Sequence, residues 1–299
     1  MKTYRISLTA HSAALTPFHA DTIFGHLCWV VAYEEGMAGV TKFLQPFKDG
    51  DPPFILSDGF PGNFLPKPLS VDFTVDDPDE RKEIRKADLI LFEDFFLMQK
   101  GMKFSYRKVD VPIKTSLTIH NTVNRLSNTT LTEGGLYSLE ESCLAPDVHI
   151  TIYIKAKDGE ETRVEELFRA LSNTGYGRKK SIGKGHFSLA GHIEEFKGFD
   201  EVRNQANGFV TLSSFCPEKG DPIEGFYKTF VKYGKLGEEF TFSGNPFKKP
   251  MVMIRTGSVF STGAPPKEVC GRMVEGVSPS RGEVLQYGYA FPIPMMLSA

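Results

Sequence analysis

Cysteine is scarce in this 299-residue sequence, which has four cysteines and no two of them in a C-x-x-C pair. Scattered cysteines of this kind fit a reducing cytosol better than a disulfide scaffold. Histidine and cysteine also form no cluster with the spacing of metal ligands, and we expect neither a metal nor another cofactor. The four positions are Cys28, Cys143, Cys216 and Cys270.

Long apolar runs are also lacking. The longest, around Ile23 to Tyr33, is interrupted by Gly25 and His26 and is far shorter than a membrane span. Met1 leads directly into a strand-like pattern, without the charged and apolar regions of an export signal. We therefore expect a cytoplasmic protein that makes no contact with a membrane.

The net charge is close to zero, with a formal value of −2 at neutral pH. This balance argues against a general nucleic-acid coat protein, so any contact with RNA should be a local patch. The length favours two domains, and a hydrophobic content of 40% is enough to give each of them a core.

One candidate patch lies at residues 173–187, which read N-T-G-Y-G-R-K-K-S-I-G-K-G-H-F. We call this segment the glycine–lysine loop. Its glycines lack a Cβ, so the backbone can adopt positive φ and approach a ligand closely. Its cations supply the charge that a row of phosphates needs. The glycines are Gly175, Gly177, Gly183 and Gly185, and the cations are Arg178, Lys179, Lys180 and Lys184.

Two familiar phosphate loops do not match this spacing. A P-loop has four residues between its glycines and Ser or Thr after its lysine. Here five residues lie between Gly177 and Gly183, and Gly185 follows Lys184. The dinucleotide fingerprint needs a glycine where Lys180 stands. Neither a nucleotide hydrolase nor a dehydrogenase is indicated, and a solvated basic turn remains the alternative.

The glycine–lysine loop is expected between a helix and a strand. His149 to Lys155 alternate as a half-buried strand, and an amphipathic helix follows with Thr162 as its N-cap. After the loop, Phe187 to Glu195 alternate as another strand. This order fits half of a ferredoxin-like sandwich, a scaffold that many RNA-binding sheets share.

The beginning of the chain supplies the other half. A strand is predicted from Thr3 to Thr9, followed by a helix that Asp21 caps and Gly36 ends. The patterns therefore predict an α+β fold whose first, ferredoxin-like (RRM-like) domain covers residues 1–200 and contains an insertion at about 40–147. A second, strand-rich domain is expected at 201–299.

Within the insertion, the proline-rich residues 43–68 are expected to be irregular and residues 78–98 helical. Residues 103–137 are unusual because they combine cations with many Asn, Thr and Ser side chains. Such a segment suits a single-stranded RNA backbone, where His120 or Arg125 stacks or pairs. A polar hairpin exposed to water is the alternative. The cations are Lys103, Arg107, Lys108, Lys114, His120 and Arg125.

The C-terminal run at residues 284–294 places Tyr287, Tyr289 and Phe291 on one face of a strand. Rows of aromatic residues are most often part of a core. A platform on which RNA bases stack is the alternative, since sheets of this class do present such rings.

Several motifs occur together in the order of one known family. They are F-H-A-D-T-I-F-G-H-L-C-W at 18–29, P-P-F-I-L-S-D-G-F-P at 52–61, L-P-K-P at 65–68, H-N-T-V-N-R at 120–125, the glycine–lysine loop, G-S-V-F at 257–260 and Q-Y-G-Y-A-F-P at 286–292. In this register the chain resembles, over nearly its whole length, subunit four of the type III-A CRISPR Csm complexes. That family is the handle-capping group of the RAMP superfamily.

The resemblance implies two ferredoxin-like RAMP domains with a hairpin projecting from the first. It implies a non-catalytic subunit of an RNA-guided antiviral complex, which binds the 5′ handle of crRNA. It also implies two protein partners, a large polymerase-like signature subunit and an adjacent RAMP backbone subunit, which the chain would bridge. By motif, the RNA-binding residues would be His120, Asn121, Arg125, Arg178, Lys179, Lys180, Gly183, Lys184 and Gly185.

Two other classes stay open. A metal-independent RAMP endoribonuclease that processes crRNA precursors would need a general acid and base, for which His11 and His19 are candidates. Neither has an obvious partner at a telling spacing. A purely structural protein that touches only other subunits would leave the glycine–lysine loop without a role.

Overall fold

The structure, a computed structural model, describes residues 1–69, 77–102, 105–106, 108–131, 135–242 and 244–297. Within these ranges the chain forms four α-helices: α1 (Ala20–Lys48), α2 (Pro78–Lys86), α3 (Phe92–Gln99) and α4 (Glu160–Thr174). The first eleven strands are β1 (Lys2–Ala10), β2 (Phe54–Pro61), β3 (Phe64–Pro66), β4 (Leu89–Leu91), β5 (Ile113–Asn121), β6 (Val123–Asn124), β7 (Thr129–Thr130), β8 (Leu136–Leu144), β9 (His149–Ala156), β10 (Phe187–Leu189) and β11 (Glu194–Glu195). The remaining six are β12 (Gly208–Thr211), β13 (Gly225–Phe226), β14 (Thr229–Lys232), β15 (Met251–Ile254), β16 (Val259–Ser261) and β17 (Pro292–Met295).

An antiparallel sheet with the order β10-β1-β9-β2 forms the centre of the first half, and β11 also pairs with β1. The alternation predicted for β1 is confirmed, because Tyr4, Ile6 and Leu8 are buried. Helices α1 and α4 pack together and bury their apolar faces in the same core. The strand and the helix predicted before the glycine–lysine loop are present as β9 and α4, but the N-cap of α4 is Gly159 and not Thr162. The strand predicted at 187–195 is divided into the short strands β10 and β11.

Helix α1 differs from its prediction at its start. The N-cap position is His19, and the Asp21 carboxylate lies within the first turn, where it binds Lys232 and Gln286 instead of capping the helix, so the predicted cap is wrong. Gly36 adopts φ 71° and ψ −175°, outside helical geometry, so the first helical segment ends there as predicted. A second helical segment follows the kink and continues to Lys48, and its Val40, Phe43 and Phe47 also pack in the core.

The proline-rich segment 43–68 is also more regular than expected. It contains the end of α1 and strand β2, which pairs with β9 and is buried along most of its length. Pro52 and Pro53 precede the strand and Pro61 ends it, so these prolines remove few of the sheet's hydrogen bonds. The chain that separates the paired strands β2 and β9 is consequently 62–148, and not the predicted 40–147.

The expected helix at 78–98 is interrupted. Asp77 caps α2 by accepting from the backbone N–H groups of Asp79 and Glu80 at 2.7 and 3.1 Å. The chain then forms the short strand β4, which pairs with β3, before α3 begins.

Strands β5 and β8 pair along nine residues and form a two-stranded ribbon, which we call the β5–β8 ribbon. Lys103 and Arg107 lie outside the described residues.

The second half contains a four-stranded antiparallel sheet, β13-β16-β12-β17, and a ribbon of β14 and β15. In the described residues 201–242 and 244–297 there is no α-helix, so the helices that a second ferredoxin-like domain requires are not found there. Tyr287, Tyr289 and Phe291 are buried and pack in the same core as α1 and the central sheet. The base-platform alternative for these three rings is therefore wrong.

All four cysteines are free. Across the described ranges, no helix is both long and apolar enough to cross a membrane.

A buried polar network connects the two halves. The Asp21 carboxylate lies 2.8 Å from Nζ of Lys232 on β14 and accepts from Nε2 of Gln286 at 2.6 Å. Nζ of Lys248 in turn donates to Oε1 of Gln286 at 2.9 Å. Burial alone would raise the pKa of Asp21, but the Lys232 ammonium outweighs it and holds the pKa below the ordinary value.

We expect Asp21→Ala to lower the free energy of unfolding by about 3–5 kcal/mol, because it leaves the Lys232 ammonium without its buried partner. Urea denaturation of the full chain measures this. The control is Asp79→Ala, which removes an exposed carboxylate paired with Lys82 and should change stability by less than about 1 kcal/mol. Equal effects of the two substitutions would contradict the tethering role of Asp21.

Candidate functional site

The backbone of the glycine–lysine loop has the conformation that its glycines predict. Gly175, Gly177, Gly183 and Gly185 have φ of 76°, 76°, 85° and 67°. Lys179 also adopts positive φ, at 63°, an uncommon conformation for a residue with a Cβ. The loop follows α4 and precedes β10, as the sequence predicted.

Backbone hydrogen bonds close the loop at its base. The N–H of Tyr176 donates to the carbonyl of Gly185 at 2.9 Å, and the N–H of Gly185 donates to the carbonyl of Ala13 at 2.9 Å. A Cβ added at Gly185 would lie 1.9 Å from the carbonyl oxygen of Tyr176. Position 185 therefore needs glycine both for its φ and for this close approach.

Two side chains hold the closed loop against the start of α1. The Tyr176 ring is buried and stacks on Phe18, with centroids 4.3 Å apart, and its hydroxyl donates to the carbonyl of Pro17 at 2.6 Å. Nε2 of His26 accepts from the N–H of Gly177 at 3.0 Å. Burial, together with the nearby Lys180, lowers the pKa of His26 to about 4, so the ring is neutral and able to accept at neutral pH.

The amide donors of the loop differ from those expected. The N–H groups of Gly183 and Gly185 already donate to the carbonyls of Lys180 and Ala13, so these amides do not point to a ligand. In the described part of the chain, the N–H groups of Lys179, Lys180 and Ser181 have no protein acceptor. The candidate amide donors are therefore those of residues 179–181, and not those of Gly183 and Gly185 that the sequence indicated.

The four cations are not equivalent. Lys180 forms an ion pair with Glu238, and Nζ of Lys184 lies 2.7 Å from a carboxylate oxygen of Glu141. Nζ of Lys179 lies 5.5 Å from the centroid of the Tyr137 ring, a cation–π contact that leaves its charge uncompensated. Arg178 is exposed, and its guanidinium has no carboxylate partner among the described residues. Arg178 and Lys179 are thus the cations available to a phosphate.

The β5–β8 ribbon lies directly against the loop region. Ala14 and Ser142 exchange two backbone hydrogen bonds of 2.9 Å, which join the ribbon to the turn after β1. The His120 ring stacks on Tyr137, with centroids 5.5 Å apart, and its Nε2 lies 3.6 Å from Oε1 of Glu141. The hydrogen bond from Lys184 is the main cause that lowers the pKa of Glu141. His120 therefore lies near Lys179, through the Tyr137 ring, and near Lys184, through the Glu141 carboxylate.

The other two predicted residues of the ribbon lie farther along it. Nδ2 of Asn121 donates to Oγ1 of Thr130 at 3.0 Å, and Arg125 is exposed in the turn between β6 and β7. Tyr137 and Glu141 were not predicted, although they connect the ribbon to the loop. Period-two alternation along β8 marks positions 137, 139 and 141 as one face, but it does not say what that face meets.

The candidate catalytic histidines lie apart from each other. Nε2 of His11 is 2.7 Å from Oγ of Ser188, and Nδ1 of His19 is 3.5 Å from Oδ2 of Asp58. Burial lowers the pKa of His19, but hydrogen bonding to Asp58 outweighs it, so the pKa lies above the ordinary value. His11 lies opposite His186, whose backbone carbonyl accepts from the N–H of His11 at 2.8 Å. Within the described residues, however, neither the His11 ring nor the His19 ring makes a hydrogen bond or ring contact with a second histidine side chain.

Comparisons with known proteins agree with the motif resemblance. No family model matches the chain. The CRISPR system Cms protein Csm4 of Streptococcus thermophilus is 25% identical over 262 residues, which cover 85% of this chain and 83% of that protein. A chain of the Csm1–Csm4 cassette, solved in complex with pppApA, superposes with a TM-score of 0.67 and 19% identity, covering 100% of this chain and 99% of its own. A chain of the Csm3–Csm4 subcomplex from the type III-A CRISPR-Cas interference complex gives a TM-score of 0.67 and 16% identity, covering 99% of this chain and all of its own.

The fold, which is mixed α/β with antiparallel sheets, is therefore one also found in a chain from a type III-A CRISPR complex. Among such chains the shared match is Csm4. The resemblance to subunit four of the Csm complex is therefore confirmed, across most of the chain in sequence and all of it in fold.

Two glycines of the loop test its closed conformation. Gly183→Ala should cost about 1 kcal/mol of unfolding free energy, because φ is positive but a Cβ would enter open space. Gly185→Ala should cost several times more, since its Cβ would meet the Tyr176 carbonyl as well. Urea denaturation of both variants compares them directly. Equal costs would mean that the loop is not closed at Tyr176 and Gly185.

Proposed function

We propose that this chain is a Csm4-type subunit of an RNA-guided type III-A CRISPR effector complex, and that it binds the 5′ handle of crRNA without cutting RNA itself. The observation that carries this proposal is the closed glycine–lysine loop. It presents two uncompensated cations, Arg178 and Lys179, beside three backbone N–H groups that have no protein acceptor among the described residues. Phosphate groups are the ligands that such a surface favours.

The β5–β8 ribbon would form the second side of the RNA site. His120 and Tyr137 lie next to Lys179, and Asn121 and Arg125 continue along the ribbon toward its exposed turn. An RNA strand bound at the loop would therefore also contact the His120 and Tyr137 rings and the Asn121 amide of the ribbon. The contacts are made to sugars, phosphates and ring faces, so they discriminate little between bases.

The proposed protein partners are the large signature subunit and the adjacent RAMP backbone subunit, which this chain would bridge. The Csm1–Csm4 cassette and the Csm3–Csm4 subcomplex are the pairs in which the similar chains were solved. The outer face of the ribbon also carries exposed apolar side chains, among them Leu117 and Ile119. Surfaces of this kind are commonly covered in assemblies. The free cysteines suit the reducing cytoplasm in which such a complex would act.

The proposed insertion in the first domain has different bounds from those that the sequence suggested. The order β1-α1-β2 and β9-α4-β10, with the sheet order β10-β1-β9-β2, corresponds to a ferredoxin-like unit. We place that unit within residues 1–200, with residues 62–148 as its insertion and the β5–β8 ribbon as the projecting hairpin. Residues 201–299 form the second RAMP unit, which shares the core of the first.

Removing the two uncompensated cations tests the RNA site. Arg178→Ala/Lys179→Ala in the co-expressed complex should reduce the copurifying crRNA, because two phosphate contacts are lost. For single strands each contact contributes about −0.7 to the log–log salt slope, so the slope of RNA binding should become shallower by about 1.4.

A matched control removes the same charge elsewhere. Lys82→Ala/Lys86→Ala deletes two exposed lysines of α2 and should leave the RNA content and the salt slope unchanged. An unchanged slope in the Arg178/Lys179 variant would contradict the site. Cleavage of repeat RNA by the purified chain in chelator, abolished by His19→Ala, would instead support the endoribonuclease.

A further inference from the structure

Three aromatic rings form a stack at the edge of the second sheet. Phe209 and Phe260 are buried, with ring centroids 5.3 Å apart and planes at 24°. Tyr227 stacks on Phe260 with centroids 5.5 Å apart and planes at 12°, yet 48% of this residue is exposed. Tyr227 is therefore the outermost ring, with one face on the stack, and no other described aromatic ring contacts it.

Two cations without acidic partners lie next to this ring. Lys228 follows Tyr227 in sequence, and the backbone N–H of Arg255 donates to the carbonyl of Lys228 at 2.8 Å. Both side chains are exposed, and neither forms an ion pair within the described part of the chain. By contrast, Lys232 of the same segment is paired with the buried Asp21.

A second ammonium, that of Lys67, lies near Lys228. Burial and, after it, the charge of Lys228 lower the pKa of Lys67, whose ammonium donates to the carbonyls at the end of α2. The positive charges of Lys228 and Lys67 are thus close enough to repel each other. An anion bound beside Lys228 would reduce this repulsion.

The same segment leads from this ring to the glycine–lysine loop. Tyr227 is followed by β14, where Lys232 reaches Asp21 at the start of α1. Farther along, Glu238 pairs with Lys180 of the loop. With a rise of about 3.3 Å per residue, Tyr227 lies roughly 16 Å along the chain from Lys232. The ring and the glycine–lysine loop are thus connected by the single chain segment 227–238.

We propose that Tyr227 is a stacking platform for an unpaired RNA base, with Lys228 and Arg255 holding the neighbouring phosphates. This inference rests on the proposed function and adds an RNA contact in the second half of the chain. RNA fits better than a protein surface because an open ring flanked by uncompensated cations matches the alternation of base and phosphate in a single strand. Stacking also requires no particular base, so this contact would tolerate different sequences.

The test uses the full chain and single-stranded RNAs of the crRNA repeat sequence, each with one 2-aminopurine, whose fluorescence is quenched on stacking. We expect one position to be quenched in the wild type and released in Tyr227→Ala, with about tenfold weaker binding. Tyr227→Phe should restore both, because the ring remains. Tyr233→Ala, which removes an exposed tyrosine that has no ring partner among the described residues, should change neither.

The cations are tested separately. Lys228→Gln/Arg255→Gln should make the salt slope shallower by about 1.4 while 2-aminopurine at the stacked position stays quenched. Unchanged quenching and affinity in Tyr227→Ala, while Arg178→Ala/Lys179→Ala still weakens binding, would overturn the platform and leave the proposed function intact. If the wild type binds none of these RNAs, both fail. Loss of a partner subunit from the Tyr227→Ala complex, with RNA content unchanged, would show a protein contact and also overturn the platform.

Discussion

The closure of the glycine–lysine loop between Tyr176 and Gly185 is the constraint on which the candidate site depends. The backbone hydrogen bond from Tyr176 to Gly185 sets the width of the loop, and the absence of a Cβ at Gly185 makes that distance possible. The Tyr176 ring on Phe18 and the neutral His26 ring under Gly177 then fix the closed loop to the start of α1. Arg178 and Lys179 are exposed because the rest of the loop is anchored.

Two of the four cations of the loop form ion pairs that connect it to neighbouring parts of the structure. Lys184 pairs with Glu141 of the β5–β8 ribbon, and Lys180 pairs with Glu238 in the chain after β14. A chain with a net charge of −2 can still present a local positive surface here, because Arg178 and Lys179 have no acidic partner among the described residues. The two ion pairs also connect the loop to both halves of the chain, because Glu141 lies in the first half and Glu238 in the second. An RNA bound at the loop would therefore lie where the two halves meet.

Sequence reasoning predicted much of the first half, because alternating strands and amphipathic helices depend on local patterns. It also predicted the positive φ of the four loop glycines, since the need for such backbone freedom is visible in the residue type itself. It did not find the partners of Asp21, Lys180 and Lys184, because these carboxylate and ammonium pairs join residues between 43 and 211 positions apart. It also missed β2, whose flanking prolines resemble an irregular segment, and Tyr227, whose role depends on rings that only folding brings together.

The central claim is that the exposed arc of the glycine–lysine loop contacts RNA. Hydrogen exchange measured by mass spectrometry, on the complex with its RNA and after nuclease digestion, tests it most directly. The amides of Lys179, Lys180 and Ser181, which have no protein acceptor in the described chain, should exchange slowly with RNA present and rapidly after its removal. Equal exchange of the peptide covering 178–182 in both states, with protection changing elsewhere, would contradict the account.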